Sequence, residues 1–513
     1  MYQTQALHRA LQQYGDRVAV RFAGRERTFA AFAERVARLA GALQQLGLQD
    51  GDRIAILALN SDRYLEFQMA VPWAGGAVNP CNIRWSAAEL LYALDDSGTT
   101  MLLVDDTFAA LGAQLRRDAQ TVRELIYCGD GPAPEGMRDY EALLADAAAV
   151  TDRYRRGEDL AGIFYTGGTT GFAKGVMLSH SNLGVAALTA LAAGLARPGA
   201  VYLHAAPMFH IADIGLAGPH WVEGNTHVIL PAFEPKAVLE AIERHGVTHT
   251  VLVPTMIQRL VEQAEGTSRY DVTTLETVSY GASPMSPALL ARAQAVFPNA
   301  RFRQLYGMTE AGPVAIESAS PSAAEREGAA GRPCYCVQVK VVNAQGVEVP
   351  RHTPGEVALC GPNVMQGYWN KPEQTAAVLR GGWYFTGDGG YMDEDGFLHV
   401  VDRIKDMIIT GGENVYSAEV ESVIAAHPAV AASAVIAVPD ARWGEAVHAV
   451  VVAVPGASVS AQDIIAHCKT RIAGYKCPRS VEFVDELPVS GAGKVLKIRL
   501  RERYWKDRAR SVA

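Results

Sequence analysis

Cysteine is scarce in this chain and has no pattern. Its seven thiols, Cys81, Cys128, Cys334, Cys336, Cys360, Cys468 and Cys477, contain no C-x-x-C pair and no Cys/His ligand spacing. A disulfide framework or zinc ribbon is thereby excluded as the organising principle, and an odd count suits a reducing compartment. Long apolar runs are missing too. The uncharged stretch 183–196 is too short to span a bilayer and ends at Arg197 and Pro198. The first twenty residues carry Arg9, Asp16 and Arg17 without an apolar core, so no signal peptide and a cytoplasmic location are expected. Neither charge sign dominates. A net charge of -8 and a pI near 5.9 leave no broad basic footprint for nucleic acid. Two nucleotide motifs are also absent: no G-x-x-x-x-G-K-[ST] loop occurs, and no G-x-G-x-x-G opens a helix after a strand.

What is present is enough apolar residue for large cores. At 513 residues and 49% hydrophobic, the chain exceeds one ordinary core and reads as two or more domains. Strand-like runs at 53–59, 101–104 and 125–128 alternate with helical patterns at 64–73 and 87–94. The same alternation resumes with strands at 249–253, 277–280 and 301–305 and helices at 254–263 and 287–296. Strands separated by helices predict parallel, doubly wound sheets in two βα subdomains. From about Ala329 the texture changes to short strands at 337–342, 355–360 and 396–401, a small β-rich subdomain. After the charged segment 402–406 an α+β pattern follows, with helices at 417–426 and 461–472 and strands at 431–438 and 447–454. The fold class is therefore α/β, with a large N-terminal domain over 1–401 and a smaller α+β domain over 402–513.

The strongest local signal follows the apolar strand 160–164. Residues 165–175 read Tyr-Thr-Gly-Gly-Thr-Thr-Gly-Phe-Ala-Lys-Gly. Glycines and threonines in this density form neither helix nor strand. A loop of this kind can wrap a polyphosphate with backbone N–H groups and hydroxyls, and Lys174 adds a charge.

This run resembles the phosphate loop of the adenylate-forming superfamily, which includes fatty-acyl- and 4-coumarate-type CoA synthetases, luciferases and peptide-synthetase adenylation domains. Four further segments resemble that family's signatures in order: Tyr306-Gly-Met-Thr-Glu310, Tyr384-Phe-Thr-Gly-Asp388, the segment from Asp402 to Tyr416, and Pro488-Val-Ser-Gly-Ala-Gly-Lys494. The resemblance implies an ATP-dependent acid–thiol ligase. A carboxylate attacks the ATP α-phosphate to make an acyl-adenylate, and coenzyme A then takes the acyl group. ATP, Mg2+ and coenzyme A are the implied cofactor and co-substrates, and a monomer or homodimer the implied assembly.

By the same resemblance, Thr166, Gly167, Gly168, Thr169, Thr170, Gly171 and Lys174 cradle phosphate. Gly281, Ala282, Gln304, Tyr306, Gly307 and Thr309 line the nucleotide. Asp388 takes the ribose hydroxyls with help from Arg403, and Glu310 ligates Mg2+, an ion suited to one carboxylate plus phosphates. Lys494 reaches the α-phosphate, Lys405 is the hinge about which the C-terminal domain swings, Gly411 and Gly412 line the pantetheine route, and Trp443 and Tyr475 flank the coenzyme. His210, in Met208-Phe-His210, borders the acid. Gly167 stands where many members have Ser, Ala173 where Pro is usual, and Cys477 where some have a basic residue near the coenzyme phosphates. The stretches expected around the acid hold no evident Arg or Lys for a second carboxylate. A monocarboxylic acid follows, a medium- or long-chain fatty acid first and an aryl or arylpropenoate acid second. A carrier protein as acyl acceptor, a luciferase-like oxygenase and a non-catalytic nucleotide-binding module are the competing readings.

Overall fold

The computed structural model describes residues 1–166, 173–265, 270–281, 285–312, 316–317, 329–403, 406–411, 413–490 and 495–505, with backbone alone at 316, 317, 402, 403 and 414. Two large sheets form the N-terminal part. The first runs Gly367–Tyr368, Lys174–Ser179, Leu160–Thr166, Ala77–Pro80, Arg53–Leu57, Thr99–Val104, Glu124–Tyr127, Arg138–Asp139. The second runs Arg332–Pro333, Ile316–Glu317, Arg301–Tyr306, Thr277–Gly281, His249–Leu252, Val201–His204, Thr226–Ile229, Val18–Phe22, Arg25–Thr28. Their centres are parallel, as the alternation predicts, and both faces are covered. Ile54, Ala55, Ile56 and Leu57 are all fully buried, so consecutive rather than alternate residues are apolar.

The crossover helices start where the sequence offers caps. Ser61 accepts the Tyr64 N–H at the head of Asp62–Ala74, and Ser86 with Glu89 closes a reciprocal box on Ala87–Ser97. The helix Asp62–Ala74 is buried along its whole length. Its Glu66, 0% exposed, accepts from Arg35 at 2.6 Å, Arg27 at 3.2 Å and the Tyr140 hydroxyl at 2.7 Å.

The sheets depart from the expected plan at their edges. Lys174–Ser179 lies antiparallel to Leu160–Thr166, and Gly367–Tyr368 returns from far along the chain to pair with it. The hairpin Val18–Phe22 and Arg25–Thr28 leaves the first subdomain and completes the second sheet beside Thr226–Ile229. The two subdomains are thus interleaved in sequence. Apolar spacing identifies a strand but carries no information about its partner.

A third, antiparallel sheet holds Gln338–Val342, Gly355–Cys360, Trp383–Met392 and Leu379–Arg380, with Leu398–Arg403 against Trp383–Met392. The C-terminal part has its own sheet of Glu413–Val415, Ile408–Thr410, Gly444–Ala453 and Val430–Asp440, joined in parallel by Ser480–Phe483. Its helices close over a separate core that includes Ile408, Val420, Val435, Val447 and Ile464. Among the described residues no helix is long and apolar enough to cross a membrane.

Candidate active site

The glycine–threonine loop connects two antiparallel strands whose last pairs are Tyr165 with Gly175 and Thr166 with Lys174. The hairpin therefore delivers Lys174 beside the loop's entry. A Cβ on Gly175 would sit 2.7 Å from Ile163, so glycine is needed for the strands to pack. Tyr165 anchors the hairpin through its hydroxyl, which donates to Asp96 at 2.7 Å. Gly167, Gly168, Thr169, Thr170 and Gly171 lie outside the described residues.

Glu310 sits on the short turn Thr309–Ala311 that follows the strand Arg301–Tyr306. Its backbone carbonyl accepts the Met365 N–H at 2.7 Å, and the Asn363 side chain donates to the Ala311 carbonyl. The half-buried carboxylate accepts the Tyr368 hydroxyl at 2.9 Å. The same Tyr368 ring carries the Lys174 ammonium 4.8 Å from its centroid. Lys174 and Glu310, 136 positions apart by their numbers, thus share one aromatic side chain. No group of three or more His, Cys, Asp or Glu that could hold a metal occurs among the described residues. A lone carboxylate of this kind fits Mg2+, which takes one or two protein carboxylates and completes its shell with phosphate oxygens and water.

Asp388, 6% exposed, lies on the long strand Trp383–Met392 and accepts the Tyr306 hydroxyl at 2.6 Å. Its own N–H donates to Thr386 Oγ1 at 3.0 Å, and antiparallel pairing sets Arg403 opposite it. Tyr384, the first residue of the same motif, is buried close to both Glu310 and Asp388. Burial, with these carboxylates adding, raises its hydroxyl pKa well above the ordinary tyrosine range. The structure so gathers Lys174, Glu310, Tyr306 and Asp388 around two buried tyrosines, Tyr368 and Tyr384. Gln304 meets Tyr280 across the parallel pair Thr277–Gly281 and Arg301–Tyr306, where the Tyr280 hydroxyl donates at 3.3 Å. Gly281 completes that strand; a Cβ there would lie 2.5 Å from the Leu305 carbonyl oxygen. Gly307 and Thr309 follow in the connection to Glu310. Ala282 lies outside the described residues, and Arg403 is described in its backbone alone.

His210 is the N-cap of the helix Ile211–Glu223, and its Nδ1 accepts the Ala212 N–H at 3.2 Å. That contact assigns the proton of the neutral ring to Nε2. Burial lowers the His210 pKa below its ordinary value, with Asp213 opposing, so the ring is neutral at pH 7. The loop leading to it is pinned by Asn60, which donates to the Ala206 carbonyl at 2.9 Å and accepts the Met208 N–H at 2.8 Å. Sequence reading did not single out Asn60 or Tyr368. Tyr368 has a signal in Gly367-Tyr-Trp369 just before the helix Pro372–Val378.

In the C-terminal part Gly411, at φ +60°, packs on Trp443, whose ring would be 2.7 Å from a Cβ at that position. The guanidinium groups of Arg442 and Arg479 both lie over the Trp443 ring, at 4.6 and 5.3 Å from its centroid. Tyr475 is exposed, with Lys476 at 5.9 Å from its ring. Cys477 is 3% exposed in the domain core, where burial pushes its thiol pKa up. Gly412, Lys405 and Lys494 lie outside the described residues. A bridge between Val489 and Val495 brackets the Lys494 segment, and Arg84 Nη1 donates to the Ser490 carbonyl at 3.1 Å.

The AMP-binding enzyme family model matches residues 7–369, and the AMP-binding enzyme C-terminal domain model matches 419–494. A feruloyl-CoA synthase from Amycolatopsis sp is 41% identical over 95% of this chain and 96% of its own. The fatty acid–[acyl-carrier-protein] ligase ScoC of Streptomyces coeruleorubidus is 38% identical over 96% and 95%. ATP-bound MatB from Rhodopseudomonas palustris superposes with a TM-score of 0.88 at 33% identity, covering 99% of both chains.

Proposed function

Because the chain belongs to the AMP-binding enzyme family, we propose that it makes the coenzyme A thioester of an aromatic monocarboxylic acid by way of an acyl-adenylate. It is an AMP-forming acyl-CoA synthetase that uses ATP, Mg2+ and coenzyme A. The observation that carries the choice of acid is the 41% identity to a feruloyl-CoA synthase across 95% of this chain. Sequence reading put a fatty acid first. That acid, or a carrier-protein thiol as acceptor, is the second reading, favoured by the 38% identity to a fatty acid–[acyl-carrier-protein] ligase.

The roles follow from charge. In the first step a carboxylate oxygen bonds to the α-phosphorus, the bond to the bridging oxygen breaks, and pyrophosphate leaves. Negative charge on phosphate oxygens must be met by fixed donors and cations. Lys174 supplies one cation beside the loop, and Lys494 is the second. Glu310 would hold the Mg2+ ion, which when bound neutralises charge on the departing phosphates. Tyr306 lies against the base, and Asp388 accepts the ribose hydroxyls, its orientation set by the Tyr306 hydroxyl and the Thr386 side chain. His210, with Nδ1 engaged by Ala212, offers an Nε2 proton to the acid's second oxygen. In the second step the coenzyme sulfur attacks the acyl carbon and AMP leaves with the shared oxygen. The C-terminal domain serves that step with Gly411, Gly412, Trp443 and Tyr475. Its boundary is placed at 401/402, with Lys405 as pivot. The last strand of the third sheet runs on to Arg403 and the C-terminal sheet begins at Ile408, which supports a junction around Lys405, two or more residues beyond 401/402.

Acid-dependent ATP–pyrophosphate exchange with ferulic, benzoic and fatty acids, then mass analysis with coenzyme A, tests the reading. Exchange with ferulic or benzoic acid and a matching thioester mass is expected. Exchange with fatty acids alone would replace the acid class, and exchange without a coenzyme A thioester would move the acceptor to a carrier protein.

A further inference from the structure

Tyr368 contributes more than its place in the core requires. It is 5% exposed and packs with the apolar residues beneath the first sheet, a task phenylalanine would perform equally. Its hydroxyl nevertheless reaches the Glu310 carboxylate at 2.9 Å, and its ring face meets the Lys174 ammonium.

Backbone register places it there. Tyr368 pairs with Val176 in the antiparallel strand, and Val176 shares a sheet face with Lys174. Tyr368 and Lys174 are therefore diagonal neighbours on one face, within reach for an aromatic ring and a long side chain. The two-residue strand is locked from every side. The Tyr368 N–H donates to Thr375 Oγ1 at 2.9 Å, the Trp369 N–H to the Gly175 carbonyl at 2.8 Å, and the Gln366 N–H to the Met177 carbonyl at 3.0 Å. Gly367, at φ +146°, admits no side chain because Thr375 lies 2.7 Å from its Cβ position. The same segment begins at Asn363 and Met365, which hold the Glu310 turn by its backbone. One stretch of chain, 363–369, thus ties the metal-side turn to the phosphate-loop strand, and Tyr368 is its only side chain that meets both charged groups among the described residues.

We propose that Tyr368 is a positioning residue for the adenylation step, holding Glu310 oriented for its metal ion and Lys174 aligned for phosphate before nucleotide arrives. A hydroxyl donated to one carboxylate oxygen fixes the rotamer of the whole group and leaves the other oxygen to the cation, as second partners do for metal ligands generally. The ring holds the ammonium without neutralising it, which a carboxylate partner would do. This inference rests on the assignment of Glu310 to the metal and Lys174 to phosphate.

The test measures binding on the full chain in the absence of acid, so that no turnover occurs. Mn2+ affinity of the ATP complex is read by electron paramagnetic resonance, and ATP affinity in EDTA by calorimetry. Tyr368→Phe keeps the ring and is expected to weaken Mn2+ roughly tenfold, with ATP affinity in EDTA unchanged. Tyr368→Leu loses the ring as well and is expected to bind ATP in EDTA roughly threefold more weakly. Wild-type Mn2+ affinity in Tyr368→Phe overturns the hydroxyl's role, and equal ATP affinity in the two variants overturns the ring's. Glu310→Gln separates the levels. If it binds Mn2+ as tightly as wild type, the metal assignment fails and the proposal with it; if it is weakened while Tyr368→Phe is not, the proposal alone fails.

Discussion

Gly411→Ala should separate the two half-reactions. Two independent penalties act at this position. Its backbone is left-handed at φ +60°, which costs an L-residue about 1–2 kcal/mol. The added Cβ would also meet Trp443 at 2.7 and 3.1 Å, well inside ordinary contact. The tryptophan must therefore move by several tenths of an ångström, disturbing its contacts with Arg442 and Arg479. On the proposed roles, adenylation draws on Lys174, Glu310 and Asp388 in the other domain and on Lys494, 83 positions along the chain from Gly411 by their numbers, and should stay within about twofold of wild type, since none of the contacts of the first three changes. Transfer to coenzyme A should fall by up to roughly 10²-fold, the scale at which misplacement of about 1 Å is felt. Single-turnover quench experiments distinguish adenylate formation from thioester formation. Gly456→Ala is the matched control. It is left-handed at φ +80°, in the same domain, with nothing within 4 Å of its Cβ position. It should lose stability without losing transfer rate. Equal loss of transfer in both variants, or none in Gly411→Ala, would refute the argument that the Gly411–Trp443 contact shapes the thiol route.

Glu66→Ala leaves Arg27, Arg35 and the Tyr140 hydroxyl facing a buried gap and should cost roughly 3–5 kcal/mol of stability in urea titration; a loss under about 1 kcal/mol would mean that water reaches the site. Acid should unfold the protein before most carboxylates titrate. Burial holds the pKa values of His180 and His249 down to about 4. Unfolded histidines bind protons from about pH 6.5 downward. Each therefore removes about 1.4 kcal/mol per pH unit between pH 6.5 and 4, with no effect above that window. A urea midpoint that is flat from pH 7 to 5 would contradict this. Arg84→Ala breaks the contact to Ser490 and should slow ATP–pyrophosphate exchange roughly fivefold, the equivalent of about 1 kcal/mol. Thioester formation from supplied acyl-adenylate should be unchanged, and a parallel loss in both steps would count against a role specific to adenylation.

Element type was legible because the signals are local. The helix Pro287–Val296 and the strand Gly355–Cys360 have the bounds that apolar spacing predicts, since proline and glycine mark their starts. Sheet membership was not legible. The hairpin near residue 20 belongs to the second sheet and the strand at Tyr368 to the first, each against chain order. Such pairings are decided by which exposed edge remains when the βα units have packed, a property of the assembled domain. The antiparallel return of Lys174–Ser179 was likewise hidden, because the glycine-rich run before it reads as a loop whichever way the next strand turns.

The candidate site divides along the same line. Several of the residues proposed to meet ATP carry formal charge, so Lys174, Glu310 and Asp388 stand out in sequence. Residues that hold those groups in place are ordinary polar or aromatic types. Asn60 looks like any turn asparagine until it is seen bridging Ala206 and Met208 ahead of His210. Tyr368 looks like core until its hydroxyl is found on Glu310. Cys477, which stands where some relatives have a basic residue, is buried in the domain core. Charge at a site can be inferred from composition and order, but the geometry that gives it force comes from strand register. A tyrosine shifted by one residue along Gly367–Tyr368 would point to the opposite face of the sheet and reach neither Lys174 nor Glu310.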